Sequence, residues 1–194
     1  MISTWSDKST WNKNFVDAMK VAVGRSPSDK AFFGNWSGAN KSSERRIAAK
    51  EIYNFLTSPN NPYADKKHAT LISHSHGGDV AKVLNNLLST DDWTVDIINI
   101  ETPQREDFRV KTLTDGRYLN FYSTEDLIQF MGTSGENTEF GKARTDKKAD
   151  RNIELKESRG ILRWIKNAAG HSLHNDNAAS QQIIEETRKE FEKQ

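Results

Sequence analysis

Ser73-His74-Ser75-His76-Gly77-Gly78 gathers hydroxyls, imidazoles and glycines in one short stretch. The apolar run Ala69-Thr70-Leu71-Ile72 precedes it, and Val80, Val83, Leu84 and Leu87 follow at helical spacing, so the stretch is predicted to be a tight turn between a strand and a helix. A serine on such a turn presents its Oγ to a substrate, provided that small residues stand two before and two after it. Ser73 and Gly77 meet that need around Ser75, although Ser73 stands where glycine is usual. The His76 N–H, at the start of the helix, is then placed to donate to an oxyanion. The plainer reading of the same residues is a glycine-rich connection with no chemistry of its own.

A serine hydroxyl is a weak nucleophile until an imidazole takes its proton and a carboxylate orients that imidazole. Asp126 follows a predicted strand in Ser123-Thr124-Glu125-Asp126, with Glu125 as the alternative acid. His171 precedes a predicted terminal helix, and His174 is the alternative base. The competing readings are a helix cap for the acid and a surface histidine for the base. A zinc site is a further alternative, because His74-x-His76-x-x-Asp79 with His171-x-x-His174 offers imidazoles and a carboxylate. It matches the H-x-H-x-D-H pattern of metallo-β-lactamases only in part, since the Asp is displaced by one position and Val80 stands where the next His belongs. The expectation is therefore no metal and no cofactor. Arg105, after another predicted strand, either faces the cleft or forms a surface ion pair, and Trp5 and Trp36 near turns either line a pocket or bind a partner or, in the plainer reading, belong to the core.

These residues need elements to position them. Trp11, Phe15, Ala18, Met19 and Ala22 predict a helix that stops at Gly24, and Ala31 to Trp36 a short strand. A second helix is predicted from about Ser43 to Leu56, with Ala48, Ile52, Phe55 and Leu56 on one face; further strands are predicted over 94–100 and 117–122. Strands alternating with helices imply an α/β fold, a mostly parallel sheet with helices on both faces and a site beyond the carboxyl ends of the strands. Little chain precedes the first helix, so a truncated first strand is expected. Residues 132–156 are polar and read as a mobile excursion; a charged terminal helix follows from about Ala178, packing through Ile183, Ile184 and Phe191.

The 194 residues fit one domain, 1–194, and nine Phe and five Trp supply a core. With 28 basic and 27 acidic residues the net charge is +1, which removes the global electrostatic case for nucleic acid. The mixed-sign run from Lys142 to Arg151 reads as solvated loop. No Cys is present, which excludes disulfides and a thiol nucleophile. No apolar run approaches the roughly 20 residues of a membrane span, and the opening residues lack the pattern of a signal peptide.

The chain resembles the α/β-hydrolase, lipase-like domains at the C-termini of Rhs and YD-repeat polymorphic toxins and related secreted effectors. The likeness lies in Thr4-Trp5-Ser6, similar to the family's H-G-T-W-S oxyanion segment, and in Asn35-Trp36-Ser37-Gly38-Ala39-Asn40 with Arg46, Ala48 and Ala49 after it. It continues through Ile72 to Gly78, Thr102-Pro103-Gln104-Arg105-Glu106-Asp107-Phe108, and Tyr122-Ser123-Thr124-Glu125-Asp126-Leu127-Ile128-Gln129. The first strand and His-Gly pair of the family are replaced by Ile2-Ser3. The resemblance implies Ser75 as nucleophile, Asp126 as acid, His171 as base, and the N–H groups of His76 and of Thr4 or Trp5 as the oxyanion hole. It also implies a lipid or small ester as substrate, an immunity protein or secretion carrier as partner, and a secreted or translocated effector. The expected function is thus ester hydrolysis by a serine hydrolase. The altered oxyanion segment motivates one alternative, a catalytically idle module of the same fold that binds a partner protein.

Overall fold

A computed structural model describes residues 2–4, 13–29, 31–34, 41–61, 64–113, 115–124, 144–156 and 177–193, with the backbone alone for 2–4 and 32–34. In chain order the elements are β1 (Ile2–Thr4), α1 (Lys13–Ala22), β2 (Phe32–Gly34), α2 (Ser42–Thr57), β3 (His68–His74) and α3 (Gly77–Leu88). Then come β4 (Thr94–Ile100), β5 (Tyr118–Tyr122), β6 (Arg151–Glu154) and a terminal helix, here α4 (Asn177–Phe191). The strands form one parallel sheet in the order β2-β1-β3-β4-β5-β6. This is an α/β fold.

Successive strand residues point to opposite faces, so the apolar runs of β3 and β4 serve two cores at once. Leu71, Val95, Ile97 and Tyr118 pack with Ala48, Ile52, Val80 and Leu84 beneath α2 and α3. Ile72, Ile98, Ile100 and Phe121 pack on the other face with Met19 of α1 and Ile183 of α4. A step leftward in the sheet, β1 to β2, uses α1 on one face; the rightward steps use α2 and α3 on the other, as right-handed crossovers require. The chain reverses its direction of winding between β1 and β3, which makes the carboxyl ends of those strands the switch point where α/β sheets bind ligands.

Two sequence expectations are corrected. Residues 151–154 belong not to an excursion but to β6, paired with β5 from Leu119–Arg151 to Tyr122–Glu154. As an edge strand it buries Ile153 and leaves its neighbours polar, so it carries no apolar run. Residues 132–143 lie outside the described residues. In α2 the buried stripe is Arg45, Ala48, Ala49, Ile52 and Leu56, while Phe55 is 47% exposed because it lies one helical step off that face.

Gly116 fixes how closely the segment before β5 approaches β4. A Cβ there stands 2.1 Å from Val95 O and 2.4 Å from Val95 C, backbone atoms that have no room to yield. Gly116→Ala is expected to destabilise the fold by about 1–3 kcal/mol, an overpacking cost read from the urea midpoint. A midpoint equal to that of the unsubstituted protein contradicts this contact.

Candidate active site

Ser75 is the first residue beyond β3, and its backbone is left-handed at φ 51°. That conformation costs a non-glycine residue roughly 1–2 kcal/mol, so the surroundings must hold it. They do so with hydrogen bonds in both directions: the Ser75 N–H donates to Ile100 O at 3.0 Å, and the Ser75 carbonyl accepts the Gly78 N–H at 3.0 Å. The helix then begins at once, with the Asp79 N–H donating to His76 O at 3.2 Å. Gly78 lets α3 come close to the segment after β4, for a Cβ at that position falls 2.1 Å from Thr102 Oγ1. Strand, left-handed serine and helix thus follow without an intervening loop, and Ser75 stays half-buried at the switch point.

The strands on either side bring two further groups to this level. On the β1 side, Thr4 pairs in register with Ser73, so the carboxyl end of β1 lies beside the last residues of β3. On the β4 side, the register pair His74–Ile100 is followed by Ser75 and Glu101. Glu101 is fully buried and also left-handed, at φ 51°, and its carboxylate Oε2 lies 3.2 Å from His74 Nε2.

Beneath Ser75, on the α3 face, lies a buried polar network. Gly34, Thr4, Ser73, Asn99, Asn120 and Asn152 occupy one register level across the whole sheet. Ser73 Oγ donates to Asn99 Oδ1 at 2.5 Å, Asn99 Nδ2 to Tyr118 OH at 3.1 Å, and Tyr118 OH to Asp146 Oδ2 at 2.8 Å. Lys82 descends from α3 to pair with that Asp146 oxygen at 3.0 Å and to donate to Gln104 Oε1. Gln104 in turn donates to Asn120 Oδ1 at 3.0 Å. Burial pushes the Asp146 carboxyl up, but Lys82, the Lys148 amide and Tyr118 outweigh it and hold the group below the usual carboxylate range. Burial, with Asp146 adding to it, drives the Tyr118 phenol far upward, so it stays a donor. A lysine and an acid at 82 and 146 are joined here only by folding, and no spacing in the sequence marks them.

A second charged cluster lies one turn into α3. Arg45 and Asp79 are both fully buried, with Arg45 Nε 3.5 Å from Asp79 Oδ2, and Arg45 also lies over the Phe108 ring at 5.4 Å. Burial pushes the Asp79 carboxyl up to about 7, against the pull of Lys82, Arg45 and Arg105, while Asp107 adds to the rise. For an acid whose folded value stands above its unfolded value of 3.8, the folded chain keeps a proton that the unfolded chain has released. Its contribution to stability therefore falls as pH rises from about 4 to about 7. Asp96 is shifted the other way: burial raises it, but His68, the Arg117 amide and Thr70 together lower it, so its contribution is lost on acidification. Asp79→Asn is expected to remove the Asp79 part of the decline, seen as a flatter urea-midpoint profile across that window. A profile parallel to that of the unsubstituted protein overturns the assignment.

The structure therefore brings Ser75 and His76 to the sheet's switch point and places the backbone of Thr4 on the neighbouring strand. Trp5, Glu125, Asp126, His171 and His174 lie outside the described residues, as does Trp36. Arg105 forms an ion pair, its Nε 3.6 Å from Asp107 Oδ1, with its side chain 11% exposed. Of the residues considered for zinc, His74 faces Glu101 and Asp79 faces Arg45; among the described residues no three His, Asp or Glu are grouped to hold a metal. Among them, too, no helix is long and apolar enough to cross a membrane. Sequence reasoning missed Glu101, although a carboxylate directly after the strand predicted over 94–100 was the available signal. Neither the family models nor the curated proteins yield a match to this chain.

Proposed function

We propose that this chain is a serine hydrolase of the α/β-hydrolase type that cleaves an ester through an acyl-enzyme. The observation that carries this reading is Ser75 itself, held left-handed between β3 and α3 at the switch point of a parallel sheet. Ser75 Oγ attacks the ester carbonyl carbon as His171 takes the Oγ proton. The carbonyl oxygen, now an oxyanion, accepts hydrogen bonds from the His76 N–H and from the backbone N–H of Thr4 or of Trp5. Collapse breaks the bond to the alcohol, which leaves with the proton from His171, and the acyl group stays on Ser75. Water then repeats the sequence and releases the acid. Asp126 orients the imidazole, with His174 as the alternative base.

The resemblance to toxin domains supports a lipid ester as substrate and an effector role, with delivery through a carrier or secretion machine and an immunity protein as partner. Hydrolysis of p-nitrophenyl esters of increasing acyl length tests the reading. His171→Ala or His174→Ala, but only one of them, is expected to match the loss in Ser75→Ala. A Ser75→Ala variant with full activity sinks the proposal.

A further inference from the structure

We infer that His74 and Glu101 are a positioning pair that holds the Ser75 turn in its reacting geometry; this rests on the reading of Ser75 as nucleophile. Two adjacent parallel strands, β3 and β4, are each followed directly by a left-handed non-glycine residue at the same level, Ser75 and Glu101, each at φ 51°. The Ser75 N–H donates to Ile100 O at 3.0 Å, and the Glu101 N–H donates to Phe121 O of β5 at 2.8 Å. A chain of backbone bonds thus runs from the serine across β4 to β5. The side chains close the same joint: the His74 imidazole, directly before the serine, meets the Glu101 carboxylate at 3.2 Å, with both residues buried.

Strained backbone persists only where its surroundings over-determine it, and it concentrates at functional sites. A glutamate is a poor choice for a buried left-handed position on conformational grounds, since glycine adopts it without penalty. Its carboxylate explains the choice. By fixing the imidazole one residue before Ser75, Glu101 limits the rotation of the strand end that would tilt Oγ away from a substrate. Neither residue touches the reacting atoms in this account; both act through the backbone of Ser75.

The test is the rate of covalent labelling by a fluorophosphonate, read by intact mass, in parallel with thermal melts. Glu101→Gly, which also releases the backbone strain, and His74→Phe, which keeps the ring and removes its nitrogens, each remove the pair from one side. Each is expected to remain folded and to label roughly tenfold to a hundredfold more slowly, the range that follows a misplacement of about 1 Å. Glu101→Gln keeps an oxygen for the His74 N–H and is expected to label within about threefold of the unsubstituted protein, because a hydrogen bond and not a charge does the positioning. A folded Glu101→Gly or His74→Phe that labels at the unsubstituted rate overturns the inference. So does a folded Glu101→Gln that labels more than about tenfold slower than the unsubstituted protein, which assigns the effect to charge. That decision stands even if the other two fail to fold. Failure of the unsubstituted protein to label at all is a different result, since it removes the nucleophile and leaves the pair with nothing to position.

Discussion

Ser75→Gly is expected to abolish ester hydrolysis while leaving the protein slightly more stable. The loss follows from the proposed acyl-enzyme: without Oγ there is no nucleophile, and losses of about 10⁴–10⁶ in kcat accompany removal of such a group. The gain follows from the backbone. Ser75 sits at φ 51°, where a side chain costs roughly 1–2 kcal/mol and glycine costs nothing. Glycine also enlarges the freedom of the unfolded chain, which takes back about 0.5–1 kcal/mol, so the midpoints of the two ranges leave a net gain of roughly 0.75 kcal/mol. For a chain of this length that is a rise of roughly 1–4 °C in Tm. Opposite signs in one substitution separate a strained functional residue from an ordinary turn serine. A Ser75→Gly protein that melts lower and keeps its activity contradicts both halves.

The largest loss of stability is expected at Lys82. Its ammonium is 1% exposed and pairs with Asp146, itself 13% exposed, so water screens little of the interaction. Lys82→Met keeps most of the stem volume but leaves the Asp146 carboxylate and Gln104 Oε1 without their cation. Breaking a buried pair from one side costs about 3–5 kcal/mol, here taken at the lower end because Asp146 retains the Tyr118 hydroxyl at 2.8 Å. A loss of about 3 kcal/mol lowers Tm by roughly 6–12 °C. Adding Asp146→Asn is expected to recover at least half of it, since the stranded charge is then gone. Equal, additive losses from the two single substitutions contradict a coupled pair.

The contrast between these two residues shows what could be read from the chain. Ser75 was legible because small residues, Ser73 and Gly77, stand two before and two after it and its flanks are periodic: an apolar run before, helical spacing after. The strands predicted over 94–100 and 117–122 were legible for the same reason, since both are buried on two faces. Edge strand β6 was not, because only Ile153 among its four residues faces a core. On apolar character Phe55 belongs on the buried face of α2, while the buried stripe instead takes in Arg45, which pairs with Asp79 and lies over Phe108 from distant parts of the chain. Lys82, Gln104, Tyr118 and Asp146 are likewise joined only by the fold. The paired left-handed residues illustrate the limit most clearly: neither a serine nor a glutamate announces a positive φ, and the register that sets them side by side exists only in the sheet.

The central claim is that Ser75 is an activated nucleophile, and the most direct measurement is fluorophosphonate treatment of the unsubstituted protein followed by intact mass and peptide mapping. The account predicts a single adduct, on Ser75, that is absent from Ser75→Ala and from one of His171→Ala and His174→Ala. No adduct on the folded protein, or an adduct on another residue that persists in Ser75→Ala, contradicts it.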